Sequence, residues 1–309
     1  MSAAKKKSPV IQFAVYLLVR LIVCVIQALS CEAAREAARF LAWCVHWLDN
    51  RHREVAKENL RNAFPGQYTE AQIDQIVCDI YLHLCRVLVD IAQMRRRLHL
   101  HNYKKYTAFQ LTPAVSEVFL SGRPILFLTG HFGNWEMAGY TIGLFGIQLH
   151  AVARPLDNPY LDAYLRDFRE RTGQKLIAKR GDFDRIDSVL AEGGVLATLA
   201  DQDAGHRGLF VDFFGRKAST HKSVALLALE HNVPIIVGGM PFVDGKFQLL
   251  CVDVIYPEDY RDSRDPIREI TQRFTSGLEK MIRQCPEQYF WVHRRWKSQP
   301  QPRGRKKVG

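Results

Sequence analysis

The sequence contains no CxxC pair, no HExxH stretch and no GxSxG elbow. The first two absences leave no zinc-ligand spacing, and the third removes the serine-nucleophile turn of the α/β hydrolases. The seven cysteines (Cys24, Cys31, Cys44, Cys78, Cys85, Cys251 and Cys285) are odd in number and stand mostly in apolar surroundings. They read as reduced core thiols rather than a disulfide framework. Internal repeats and long Gly/Ser/Pro-rich linkers are also missing, so one main domain is the simpler reading of 309 residues. Acidic residues are in deficit, 32 against 43 Lys and Arg. The formal charge of +11 calls for an acidic partner: anionic lipid, an acidic carrier protein or nucleic acid. Part of that charge is terminal (Lys5, Lys6 and Lys7; Arg303, Arg305, Lys306 and Lys307) and no base-reading element accompanies it, which sets nucleic acid aside.

What is present begins with an apolar run over residues 10–29, VIQFAVYLLVRLIVCVIQAL, interrupted by Gln12, Arg20 and Gln27. It is as long as a bilayer-spanning helix, roughly 20 residues. Ser30, Cys31 and Glu32 make a poor signal-peptidase site. Arg20 in mid-run favours a shallow or tilted anchor. The positive-inside rule would keep Lys5 to Lys7 cytoplasmic, whereas the cysteine usage points to a cytoplasmic body, and an anchor that dips in without crossing satisfies both. The expected division is an anchor over 1–30, one catalytic domain over 31–300 and a basic tail over 301–309. A helical region follows the anchor, with one helix around 32–49 and another opened by the capping-box pair Thr69 and Gln72. The second carries Ile73, Ile76, Val77, Ile80, Tyr81, Leu84, Leu88 and Ile91 at three-and-four spacing.

From Pro124 the pattern changes. Short apolar runs at 125–129, 148–152, 195–199, 234–237 and 247–252 predict strands. Helices are expected to start at Asn158 and Pro159, near Thr220, and at Asp265 and Pro266. The whole reads as an α/β fold: a mixed, largely parallel sheet flanked by helices, preceded by a helical region. In such folds reactive groups collect just past strand C-termini. The segment TGHFGNWEMAGY stands there, after the 125–129 run. Gly130 and Gly133 permit a tight turn. Glu136, five residues beyond His131, is expected to reach back from the first helical turn and hold the imidazole as a general base. The competing reading, a helix-capping histidine, has comparable weight on these residues alone. With no protein nucleophile in sight, such a base would activate a substrate hydroxyl directly.

His131-x4-Glu136 in GHFGNWE resembles the His-x4-Asp/Glu motif of glycerolipid and lipid A acyltransferases, and four further segments resemble the lipid A biosynthesis (late) acyltransferases in particular. These are Arg51-x-Arg53 with Asn59, Leu60, Phe64 and Pro65; the stretch from Arg154 to Pro159; Asp201-Gln202-Asp203 with Phe213, Phe214, Gly215 and Thr220; and PEQYFWVHRRWK from Pro286 to Lys297. The resemblance implies a glycerolipid-acyltransferase-like fold at the cytoplasmic face of the bacterial inner membrane. It implies transfer of a fatty acyl chain from an acyl-ACP or acyl-CoA co-substrate, without cofactor or metal, to a hydroxyl of a lipid A precursor. His131 would be the base, Glu136 its orienting partner, and Arg169 the best match for an oxyanion or substrate arginine, although helical periodicity does not separate it from Arg171. Backbone N–H groups around Gly133 and Asn134 could receive the oxyanion, with Asn134 equally suited to capping the helix. Arg154, Asn158, Asp201, Gln202, Asp203 and Thr220 complete the expected substrate contacts, and Trp291, Trp296, Arg294 and Arg295 suit either the membrane interface or the packing of a closing strand. A lysophospholipid or phosphatidylinositol mannoside acceptor and a non-catalytic lipid-binding protein are the alternatives.

Overall fold

The protein is described from a computed structural model covering residues 8–171, 173–178 and 183–300. The basic residues expected to matter at either end, Lys5 to Lys7 and the 301–309 tail, lie outside the described residues. Helix α1 (Pro9–Ala28) is followed by α2 (Cys31–Leu48), α3 (Asn50–Ala63), α4 (Glu70–Arg97) and a single turn α5 (Tyr103–Tyr106). The layered part then runs β1 (Thr107–Gln110), α6 (Pro113–Leu120), β2 (Ile125–Thr129), α7 (Trp135–Leu144), β3 (Leu149–Ala153), α8 (Pro159–Glu170), β4 (Gln174–Ala178), α9 (Phe183–Ala191) and β5 (Val195–Leu199). It closes with β6 (Leu209–Phe213), β7 (Arg216–Thr220), α10 (Ser223–His231), β8 (Ile235–Gly239), β9 (Phe242–Val243), β10 (Lys246–Ile255) and α11 (Pro266–Gln284).

The sheet order is β1-β10-β8-β2-β5-β3-β4. β2 is parallel to both β5 and β8, β3 is parallel to β5 and β4, and β10 turns antiparallel against β8. This is the mixed, largely parallel sheet that the apolar runs imply. β2 is buried at all five positions. Its alternate side chains feed two cores: Leu126 and Leu128 pack on the side of α10 and α11, Ile125 and Phe127 on the side of α6 and α7. The segment expected to open a helix near Thr220 is instead β7, and the helix begins at Ser223. β7 pairs with β6 through a two-residue turn in which Phe214 and Gly215 both have positive φ, 52° and 71°. That is the backbone demand of a tight twisted hairpin. The strain at Phe214 is compensated by packing against Phe64 and Trp291, with ring centroids 5.1 and 5.6 Å away.

Helix starts follow local chemistry. Thr69 and Gln72 form the reciprocal cap of α4. Asn158 and Asp265 cap α8 and α11, each ahead of a proline in the first turn. α1 is 20 residues long, near the 30 Å of a hydrocarbon core at 1.5 Å per residue, and none of its residues is buried. Its polar interruptions nevertheless have partners. Gln12 Nε2 donates to Asp157 O at 3.5 Å while its backbone carbonyl accepts from Asn158 Nδ2 at 2.8 Å, the Arg20 guanidinium lies 4.6 Å over the Tyr164 ring, and Gln27 Nε2 donates to Ala92 O at 3.0 Å. Residues 12, 16, 20 and 27, with the part-buried Val19, Val23 and Ile26, form the side turned toward α8 and α4, and Val10, Ile11, Val15, Leu17, Leu18, Leu21, Ile22 and Val25 stay exposed.

Candidate active site

Two parallel strands bring the reactive groups together. β2 and β5 are in register with Thr129 opposite Leu199, so residues two beyond each strand end, His131 and Asp201, emerge side by side at the carboxyl edge of the sheet. The backbones stay close, since Ala200 N donates to Thr129 O at 3.0 Å. A side chain at Gly130 would place its Cβ 3.1 Å from the Asp201 Cβ. His131 Nδ1–H donates to Asp201 Oδ1 at 2.9 Å, and the His131 backbone N–H donates to Asp201 Oδ2 at 2.8 Å. With Nδ1 so engaged, Nε2 carries the available lone pair. The Asp201 side chain is 3% exposed and that of His131 23%. Trp135 and Phe290 flank the imidazole at 5.1 and 5.6 Å. Burial opposes charging the imidazole, but the charge and hydrogen bond of Asp201, helped by Glu136, outweigh it and hold its pKa above the ordinary 6.5. Burial likewise opposes the Asp201 carboxylate, yet His131, with help from Arg295, keeps its pKa below 3.8.

This corrects the expected partner. Glu136 does not hold the imidazole. α7 starts at Trp135, and Glu136 at its second position turns to α8, where Arg169 meets it in a two-pronged ion pair, Nε to Oε2 at 3.0 Å and Nη2 to Oε1. Of the two arginines that periodicity left open, Arg169 reaches the site, whereas Arg171 pairs with Asp167 on the helix exterior.

His131, Glu136 and Arg169 line one cleft of about 320 Å³ together with Arg154 and Gln202. The cleft runs between the sheet and α7, and its width follows from small side chains: Ala138 and Gly139 on the helix, Ala151 and Ala197 on the strands. Phe127, Ile142 and Leu149 make its inner wall, and no serine or cysteine lines it among the described residues.

The other expected contacts fall elsewhere. Asn158 caps α8 and binds Gln12 of α1. Asp203 is tied to Ser298 and to the Gly205 backbone, and Thr220, fully buried, accepts from Arg295 Nη2 at 2.6 Å; neither lines the cleft. The backbone N–H groups of Gly133 and Asn134 are already given to Gln288 O and Met240 O, at 2.9 and 2.8 Å, so they are not oxyanion donors. Asn134 is the cap, accepting from Met137 N at 2.9 Å. Nor does the C-terminal aromatic cluster face a membrane. Trp291, Trp296 and Arg295 are 0%, 8% and 2% exposed. Asn59 Nδ2 grips the carbonyls of Trp291 and His293 at 2.6 and 2.7 Å, and Phe64, Phe213 and Phe214 pack around the rings. This segment sets Tyr289 and Arg295 close enough to act on Asp201, and Phe290 against the imidazole.

Gly133 sits at φ 60°, and a Cβ there would lie 2.3 Å from Met240 O. Gly133→Ala is therefore expected to cost on the order of 2–3 kcal/mol through left-handed strain and forced displacement of β8's end. Urea denaturation in detergent measures this, and an unchanged midpoint would show that the loop yields freely.

Comparison with known proteins decides the family. The family model for bacterial lipid A biosynthesis acyltransferases matches residues 1–298. The chain belongs to that family. It is 26% identical over 298 residues to the lipid A biosynthesis lauroyltransferase of Escherichia coli K12, covering 93% of this chain and 90% of that one. With a lipid A biosynthesis acyltransferase of Haemophilus influenzae it shares 23% over 248 residues, 78% and 74% of the two chains. A shorter match, 24% over 181 residues and 57% and 58% of the two chains, is to a phosphatidylinositol mannoside acyltransferase of Mycolicibacterium smegmatis. By family the chain is an acyltransferase.

Proposed function

We propose that this acyltransferase moves a fatty acyl chain from the thioester of acyl carrier protein or coenzyme A to a hydroxyl of a lipid A precursor, at the cytoplasmic face of the inner membrane. The observation that carries the reading is the Asp201-held imidazole of His131 at an apolar cleft that, among the described residues, no serine or cysteine lines. The acceptor hydroxyl gives its proton to Nε2 as its oxygen attacks the thioester carbonyl. The tetrahedral intermediate then collapses, the carbon–sulfur bond breaks, and the imidazolium returns the proton to the departing thiolate. Asp201 stabilises the transient imidazolium and keeps the tautomer. Arg169, held in place by Glu136, supplies positive charge on the cleft wall for the developing oxyanion. The apolar cleft accommodates the acyl chain, and the charge of +11 suits an acidic carrier and a phosphorylated acceptor alike. α1, tied to the body at both ends, serves as an anchor lying in the interface, its outward apolar face in lipid.

The test is direct. Purified full-length protein in detergent is given defined acyl-ACP and acyl-CoA donors with lipid A precursors, and separately with phosphatidylinositol mannoside, the acceptor class of the shorter match. Mass spectrometry is expected to find one added acyl chain on the lipid A precursor. Acylation of the mannoside alone would move the chain to the second reading, and transfer to neither would remove the proposal.

A further inference from the structure

α4, in the helical region outside the α/β layers, carries His83 and Asp90 on one polar flank that also holds Arg86 and Gln93. His83 and Asp90 are seven residues apart, two helical turns, and so share a face. Both meet the loop that carries His131. His83 is buried, and burial pushes its pKa down to about 4. Its neutral Nε2–H donates to Gly133 O at 3.0 Å. Asn134 Nδ2 donates to Asp90 Oδ2 at 3.3 Å, while the other end of the same amide, Oδ1, caps Met137 N. Asp201 and the Phe290 N–H hold His131 itself, while these contacts and the backbone bonds to Gln288 and Met240 fix the rest of the loop on which it stands.

We propose that His83 and Asp90 are positioning residues for the acyl-transfer site, fixing residues 131–134 from the helical region through the Gly133 carbonyl and the Asn134 amide. The proposal rests on the reading of His131 as the base. The chemistry of the carboxamide explains why an acceptor is needed at position 90. Flipped, Asn134 would set its NH₂ against the Met137 N–H and its oxygen against Asp90, two repulsive contacts in place of two hydrogen bonds. An acidic side chain therefore locks the cap of α7, and with it the helix that carries Trp135 and Glu136. Burial works against that carboxylate and pushes its pKa up to about 7, opposed by the Asn134 bond and the charges of Arg86 and Arg35. The same helix also holds the anchor: Gln93 Nε2 donates to Ile26 O at 2.8 Å and Arg97 to Leu29 O at 3.3 Å. α4 is thus a rigid link from α1 to the catalytic loop.

Asp90→Leu removes the acceptor at similar volume, and Asp90→Asn restores one. Hydrogen exchange followed by mass spectrometry, on full-length protein without substrate, reads the loop directly. For Asp90→Leu, exchange at the 134–138 amides is expected to rise at least tenfold while β2 and α11 keep their protection. In the transfer assay kcat is expected to fall at least tenfold, with KM for donor and acceptor within twofold. Asp90→Asn should return both readouts to within threefold of wild type, and His83→Gln should outperform His83→Leu in the same way. Unchanged loop exchange, loosening spread through the whole molecule, an unaffected kcat despite a loosened loop, or an Asp90→Asn variant as impaired as Asp90→Leu would each overturn the proposal. Because exchange is read without substrate, a wild-type protein that transfers nothing would refute the acyltransfer reading alone and leave the clamp to be judged on its own result.

Discussion

His131→Ala is expected to lower acyl transfer by about 10²–10⁴-fold, the usual contribution of a positioned general base. The stability of the protein should change little. The side chain is 23% exposed and opens on a cleft, so its removal leaves no sealed cavity. The Asp201 carboxylate keeps the backbone N–H of residue 131 as a donor after the imidazole is gone. The loss should appear in kcat for every acyl chain and both donor classes, because the proton of the acceptor hydroxyl must be taken whichever thioester is attacked. Binding of the acyl donor, measured by a fluorescent acyl analogue, should persist, since the apolar walls around Phe127, Ile142 and Leu149 are untouched. A variant that turns over at near-wild-type rate with an unaltered pH profile would place the base elsewhere.

Much of this site was legible before the fold was seen, and the part that was not has a physical reason. The strand at Ile125–Thr129 is a short apolar run buried on both sides, too short for a helix and bounded by Pro124 and Gly130. It located His131 at the carboxyl edge. β4 escaped because Gln174 and Lys175 break the run, and the β6–β7 hairpin because Asp212 and Lys217 pair on its exposed side. The partner of the imidazole was misjudged for a different reason. Spacing along the chain favours Glu136, but five residues across a strand-to-helix turn do not determine a side chain's direction, and Arg169 of α8 competes successfully for that carboxylate. Asp201 is 70 residues away in sequence. The sequence offers it as a substrate contact, and it becomes the partner of His131 through the β2–β5 register, which no local pattern reports. His83 and Asp90 lie on a polar flank of α4 beside its apolar stripe, and nothing in the local spacing says that this flank meets the catalytic loop.

The second large effect is expected at that distant partner. Asp201→Asn keeps the volume of a 3% exposed side chain but replaces an acceptor pair by one acceptor and one donor. The backbone N–H of His131 can retain the amide oxygen. The amide nitrogen then faces Nδ1, where it can only donate, which forces the proton to Nε2 and removes the lone pair that the acceptor hydroxyl needs. By analogy with the same change in a serine-protease triad, kcat should fall by about 10³–10⁴-fold. The pH dependence of the residual activity separates this from simple loosening. In the wild type the base works only when neutral, so kcat/KM falls as pH drops through an imidazole pKa held above 6.5. The charge and hydrogen bond of Asp201 are the terms that raise it against burial. Without them burial dominates, the imidazole protonates less readily, and the acid limb of the profile moves to lower pH even as the plateau collapses. A plateau lowered with its acid limb in the wild-type position would mean that the carboxylate does not govern the imidazole, and the dyad would have to be given up.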